Sequence, residues 1–117
     1  MNHKTGADLL EEARSRVREV MPADVMDTAD SSAVYLDCRE PGEFNLAHIP
    51  GAMLIPRGAL EGKVEAAIPR EKSVIIYCAS GNRSALAADT LQQMGYTSVA
   101  SMKGGIRAWV DAGGEIE

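Results

Sequence analysis

Cys78 stands where a short apolar run, Val74-Ile75-Ile76-Tyr77, gives way to small and polar residues from Ala79 to Ser84 and then to an alanine-rich helical pattern. A strand that stops, turns tightly and starts a helix can aim several backbone N–H groups at one point. The helix adds the positive end of its dipole. A thiolate held at that point is stabilised, which makes Cys78 a candidate nucleophile rather than an inert buried thiol. Ala79, Ser80, Gly81, Asn82, Arg83 and Ser84 form the candidate cradle for an anion around it. Gly81 permits backbone angles that other residues resist, which suits a tight bend. Arg83 supplies positive charge, either on an anionic ligand or by fixing the loop through a carboxylate such as Asp37 or Glu43. Ser84, at the junction of loop and helix, is either a helix cap or a ligand contact.

A second group follows the apolar run 33–36. Asp37 and Arg39 either line the same pocket or hold the loops that form it, acting as supports for the cradle. Cys38 lies between them. The two cysteines, Cys38 and Cys78, are far apart in sequence and make no Cys-x-x-Cys or Cys/His zinc pattern, so no metal is expected. His48 in Ala47-His48-Ile49-Pro50-Gly51 has the chemistry of a general base. A thiol that already ionises needs no base, so His48 is assigned to the turn. His3 is given no role. Trp109, Ile106 and Val110 read as the buried face of a short helix, and Met53 and Met94 as core. Met102 is placed at the pocket mouth, and Phe44 is packed in the loop. Arg57 and Arg107 add either to the pocket's field or to a solvated surface.

These residues need a scaffold, and the hydrophobic pattern supplies one. Residues 9–16 have amphipathic helical spacing, and 17–20 alternate as a short edge strand. A helix begins at 21–26 behind Pro22 and is broken by Ser31-Ser32. Residues 33–37 and 52–55 read as strands, with a polar, turn-rich stretch at 39–49. Residues 60–68 form a helix, 74–77 a strand, 83–94 a helix capped by Gly95, and 97–100 a last strand. Lys103-Gly104-Gly105 turns the chain into a helix at 106–110. Short, continuously apolar strands alternating with helices indicate buried parallel strands, roughly five of them, in one α/β/α domain over 1–117. Residues 1–18 form a helical extension that is expected to pack without chemistry. In such sheets ligands bind beyond the carboxyl ends of the strands, where Cys78 and Asp37 both lie.

The chain has 117 residues, with a formal net charge of −5, an apolar fraction of 45% and a charged fraction of 25%. That balance is ordinary for a globular protein and argues against a nucleic-acid surface. An anionic substrate must therefore be attracted locally. The amino-terminal residues lack the apolar core of a signal peptide, and no stretch approaches a membrane span, so a cytoplasmic location with no membrane partner is expected.

Three segments together resemble one family. The first is Leu36-Asp37-Cys38-Arg39-Glu40-Pro41-Gly42-Glu43-Phe44, leading to Ala47-His48-Ile49-Pro50-Gly51-Ala52. The second is Cys78-Ala79-Ser80-Gly81-Asn82-Arg83-Ser84, and the third Gly104-Gly105-Ile106-Arg107-Ala108-Trp109. Their order and spacing over residues 20–117 resemble the rhodanese-like sulfurtransferases of the single-domain kind. The resemblance implies a five-stranded parallel sheet between helices. It also implies that Cys78 takes a sulfane sulfur from thiosulfate or a similar small anionic donor, forming a persulfide. Cyanide or a thiol then removes the outer sulfur, with ping-pong kinetics and no cofactor beyond the covalent persulfide. A persulfide carrier in a sulfur relay, passing sulfur between proteins, needs the same loop. An inactive interaction module would not need Cys78. In this setting Cys38 either resolves a persulfide or sulfenate on Cys78 into a disulfide or fills the core. Related Cdc25-type phosphatases, with which arsenate chemistry is grouped, place five residues between cysteine and arginine. Here Arg83 follows Cys78 after four, and Ser84 occupies the position of that arginine. The shorter loop suits a lone sulfur better than a tetrahedral phosphate.

Overall fold

Every residue of strand β4 (Val74–Tyr77) is buried, because both faces of the strand are covered. Val74, Ile76 and Cys78 point to one side, into a core with Leu36, Cys38, Leu60, Val64, Ala87, Ala88 and Leu91. Ile75 and Tyr77 point to the other, against Val20, Ile49, Met102 and Trp109. The period-two geometry of a strand thus feeds two apolar layers at once.

A computed structural model describes residues 2–26 and 32–117. Around β4 lie β1 (Arg18–Val20), β2 (Val34–Asp37), β3 (Met53–Leu54) and β5 (Val99–Met102), in one sheet of order β1-β5-β4-β2-β3. Every paired neighbour in that sheet is parallel. The helices are α1 (Gly6–Arg16), α2 (Pro22–Met26), α3 (Pro41–Leu46), α4 (Leu60–Ala67), α5 (Asn82–Gln93) and α6 (Gly105–Asp111). They cover both faces, so the expected three-layer α/β/α architecture with a five-stranded parallel sheet is the one observed. Among the described residues, no helix is long and apolar enough to cross a membrane.

Helix α5 lies close to the sheet because the residues it turns inward are small: Ser84, Ala85, Ala87 and Ala88 are buried beside Leu91. Burial of a leucine such as Leu91 contributes about 2 kcal/mol. The helix closes at Met94, with Gly95 next as expected, and Tyr96 N–H returns to Leu91 O at 3.0 Å. At the other end of the chain, α1 begins earlier than its apolar spacing suggests. Thr5 and Asp8 form a reciprocal capping box that starts the helix at Gly6.

Several sequence expectations need correction. Residues 41–46 are helical rather than turn-rich, because Pro41 at the first helical position fixes φ and Phe44 N–H reaches Glu40 O at 3.1 Å. The last strand runs two residues later than 97–100, since Val99 is the residue that pairs with Val74. Met102 therefore ends a buried strand and does not reach a pocket mouth. Val110 is exposed, and Trp109 alone of the expected trio is fully in the core, its Nε1–H donating to Glu115 O at 2.7 Å. Met53 and Met94 pack on the core's edge. The expected break at Ser31-Ser32 begins at a residue outside the described ones.

Candidate active site

Sheet order fixes what surrounds Cys78. With β4 between β2 and β5, the residue after β4 is flanked by the ends of both neighbours. Asp37 pairs with Tyr77, and Cys38 N–H donates to Tyr77 O at 3.1 Å, so Cys38 and Cys78 follow one another in register on adjacent strands. Both thiols are free, each 1% exposed, and face the same apolar layer.

The loop after Cys78 is shaped from two sides. Gly81 caps α5 at φ 103°, a region that other residues enter only with strain, and a Cβ there would sit 3.1 Å from Gly104 N. From outside, the start of α6 binds the loop's carbonyls: Ile106 N–H donates to Cys78 O at 2.8 Å, and Arg107 N–H to Ala79 O at 3.3 Å. With those carbonyls held outward, the loop's amides are free to turn inward. Two of them reach the sulfur: Gly81 N at 3.1 Å and Ser84 N at 3.4 Å. Ser84 is neither a cap nor exposed to ligand. Its Oγ lies 3.5 Å from Cys78 Sγ and 2.8 Å from Ser101 Oγ, in the buried interior. When Cys78 is ionised, the Ser84 hydroxyl donates to the sulfur and Ser101 donates to Ser84.

These contacts hold the Cys78 thiol down at about 4. The largest contribution is the Cys38 thiol, which shares its proton with the ionised sulfur. Burial opposes ionisation, while the Ser84 hydroxyl and the Ser84 and Gly81 amides favour it. The interaction with Cys78 pushes Cys38 up, and burial and the Asp37 charge push the same way. Cys38 Sγ also lies 3.5 Å from Tyr77 O, but an ionised sulfur is the stronger acceptor of the two. Cys38 is thus a core residue whose proton tunes its neighbour.

The alkylation rate of Cys78 by iodoacetamide follows its thiolate fraction, so it is expected to be nearly flat above about pH 5, where an ordinary thiol titrates near 8.5. Cys38→Ala removes the largest stabilising contact and is expected to move that inflection upward by at least about one unit. An unchanged pH profile in Cys38→Ala would show that the two sulfurs do not share a proton.

Charges around the cradle are mostly paired. Arg83 makes a fork with Glu43 of α3, at 3.2 and 3.1 Å, which is the contact the fixing role requires. Asp37 and Arg39 are buried against each other, with Arg39 Nη2 2.7 Å from Asp37 Oδ2 and 2.7 Å from Ala47 O. Both therefore act as struts that hold residues 39–47 beside the cradle. His48 has the expected turn role: its ring stacks on Phe44 at 3.9 Å, and its Nδ1 lies 3.0 Å from Phe44 O. Arg57 is tied to Glu61 and Thr90 on the surface, and Arg107 is exposed. Ser80 and Asn82 are exposed on either side of buried Gly81. Ser101 and the influence of the Cys38 thiol on the ionisation of Cys78 escaped the sequence reading. Each depends on strand register, and no local signal carries it.

The profile of the Rhodanese-like domain matches residues 21–112 of the chain. The probable adenylyltransferase/sulfurtransferase MoeZ of Mycobacterium tuberculosis is 33% identical over 93 residues, 77% of this chain and 24% of that protein. The chain therefore spans about a quarter of that relative's length. A sulfurtransferase of Allochromatium vinosum is 40% identical over 86 residues, covering 73% of this chain and 79% of the relative. Among solved structures, a Rhodopseudomonas palustris protein of unknown function, described as a possible tyrosine phosphatase, superposes with a TM-score of 0.88. It is 38% identical and covers 100% of this chain and 97% of its own.

Proposed function

The chain belongs to the rhodanese-like domain family, and from that premise we propose that it is a sulfurtransferase that carries sulfane sulfur on Cys78. The observation that carries the reading is the pair of backbone amides, Gly81 N and Ser84 N, converging on the Cys78 sulfur. They favour an ionised nucleophile, and later a persulfide anion, without any cofactor.

With thiosulfate as donor, the Cys78 thiolate attacks the outer, sulfane sulfur. The new S–S bond forms as the old one breaks, and sulfite leaves with the electron pair. Cys78 is left as a persulfide anion, and total charge is conserved. Cyanide then attacks the outer sulfur and leaves as thiocyanate, regenerating the thiolate; a thiolate acceptor leaves instead as its own persulfide. Each half-reaction puts negative charge where the amides and the Ser84 hydroxyl already point.

Intact-mass measurement after exposure to thiosulfate tests this. The protein is expected to gain the mass of one sulfur atom, and cyanide is expected to remove it. An unmodified mass overturns the reading. Rapid turnover with small donor and acceptor identifies an enzyme; slow turnover with stable loading from a protein donor identifies a carrier in a sulfur relay. Phosphate esters serve as the comparison substrate. Four residues separate Cys78 from Arg83, Arg83 is engaged by Glu43, and the bend closes on a single sulfur atom, all of which disfavour phosphoryl chemistry.

A further inference from the structure

We propose that Arg14, on the amino-terminal helix α1, is the cation that draws an anionic sulfur donor to the cradle. It lies outside residues 21–112, which match the family, and α1 was expected only to pack. The donor's identity rests on the sulfurtransferase reading; the position of the charge does not.

Four arginines stand close to the Cys78 loop, and they differ in how fully they are neutralised. Arg107 of α6 holds the loop through its backbone N–H on Ala79 O, with its side chain exposed. Arg39 is buried against Asp37 at 2.7 Å. Arg83 is locked in a two-pronged fork with Glu43. Among the described residues, the carboxylate paired with Arg14 is Glu19, Nε to Oε2 at 3.6 Å, with the arginine side chain 39% exposed. Its Nη2 donates instead to a neutral group, Asn82 Oδ1, at 2.8 Å. The same nitrogen lies 3.9 Å from the point that a Cβ on Gly81 would occupy. Gly81 is the residue whose N–H sits on the sulfur, so the guanidinium borders the outer wall of the cradle.

The mount is rigid. Arg16 makes a fork with Asp89 of α5 at 2.9 and 2.8 Å, and Gln92 Nε2 donates to Arg16 O at 2.9 Å. Helix α1 is therefore fixed along α5, and Arg14, two residues before Arg16, reaches Asn82 at the start of α5. A cation there acts twice. Its field adds to the positive end of the α5 dipole, and its hydrogen bond orients the exposed Asn82 side chain next to the bend. In a chain of net charge −5, a local cation of this kind sets the attraction of an anion to the site.

Two alkylating probes read the charge directly, independently of sulfur transfer. Iodoacetate carries a negative charge and iodoacetamide carries none, while both react with the same thiolate. In Arg14→Gln the ratio of the iodoacetate rate to the iodoacetamide rate is expected to fall roughly three- to tenfold. Arg14→Lys is expected to keep most of the ratio, and added salt to narrow the gap between the parent protein and Arg14→Gln. In the thiosulfate assay, Arg14→Gln is expected to raise KM by a similar factor with little change in kcat. An unchanged probe ratio in Arg14→Gln overturns the proposal, and so does a loss in Arg14→Lys as large as that in Arg14→Gln. If thiosulfate fails to load Cys78 at all, the sulfurtransferase reading falls, while the probe ratio still decides the role of Arg14.

Discussion

Cys78→Ala is expected to lower thiosulfate-dependent thiocyanate formation by more than about 1,000-fold, because it removes the ionised sulfur that attacks the donor and leaves only Cys38, a buried thiol, nearby. Oriented amides alone offer an anion site but no bond to the sulfane sulfur, so no slower route through the same loop remains. The domain is expected to stay folded. The substitution takes one sulfur atom from a site 1% exposed, and the hydrogen bonds that hold the loop to α6 run through Cys78 O and Ala79 O, not through the thiol. A loss of about 1–2 kcal/mol in unfolding free energy is the scale for such a small void. Cys78→Ser separates the two roles of the residue. It keeps a hydrogen-bonding group for the Gly81 and Ser84 amides, yet its hydroxyl does not ionise usefully near neutral pH. It is expected to be as inactive as the alanine variant and closer to the parent in stability. Measurable turnover in either variant, with thermal unfolding showing an intact domain, removes Cys78 from the chemistry.

The part of this site that was legible in the sequence is the part built from neighbours in the chain. Val74 to Tyr77 read as a strand because apolar residues fill all four positions, and the bend read as a cradle because small residues and Gly81 precede an alanine-rich helix. Cys78, the loop and the parallel sheet follow from those local facts. What was not legible depends on register and on sheet order. Cys38 was left between a resolving thiol and a core filler because nothing in Asp37-Cys38-Arg39 fixes its neighbour across the sheet; the pairing of Asp37 with Tyr77 does. Ser101 is a polar residue inside the buried strand, one position beyond the expected end at residue 100. Its hydroxyl is satisfied by Ser84, 17 residues earlier on another element, so the buried polar group carries little penalty. Helix α3 is one and a half turns long and has no side-chain cap, so its polar sequence resembled a loop. Arg14 is 68 residues from Asn82, and an exposed arginine on an amphipathic helix gives no sign of the neighbour it will meet.

Gly105→Ala is expected to damage the site from behind, and it tests whether α6 shapes the cradle. Gly105 has a φ of 62°, and a Cβ there would stand 2.3 Å from Cys78 O and 2.6 Å from Ala79 C and O. These are backbone atoms, so no side chain can swing aside. Either α6 lifts from the loop or the loop itself moves. Both outcomes break the bonds from Ile106 N–H and Arg107 N–H that hold the loop's carbonyls outward. The left-handed backbone costs roughly 1–2 kcal/mol for a residue with a Cβ, and the overlap and lost hydrogen bonds bring the expected destabilisation to about 3 kcal/mol or more. Gly113→Ala isolates the first contribution: its φ is 92°, and a Cβ there meets nothing within 4 Å. It is expected to lower stability by the backbone cost alone and to leave Cys78 unchanged. In Gly105→Ala, by contrast, carbonyls released from α6 no longer force the Gly81 and Ser84 amides onto the sulfur. The Cys78 thiol is then expected to titrate above 4, seen as a rise in the pH at which thiolate absorbance appears, with transfer activity falling in parallel. If Gly105→Ala loses no more stability than Gly113→Ala and its thiol titrates as in the parent, the amides are oriented by the β4–α5 bend alone, and α6 is only a cover.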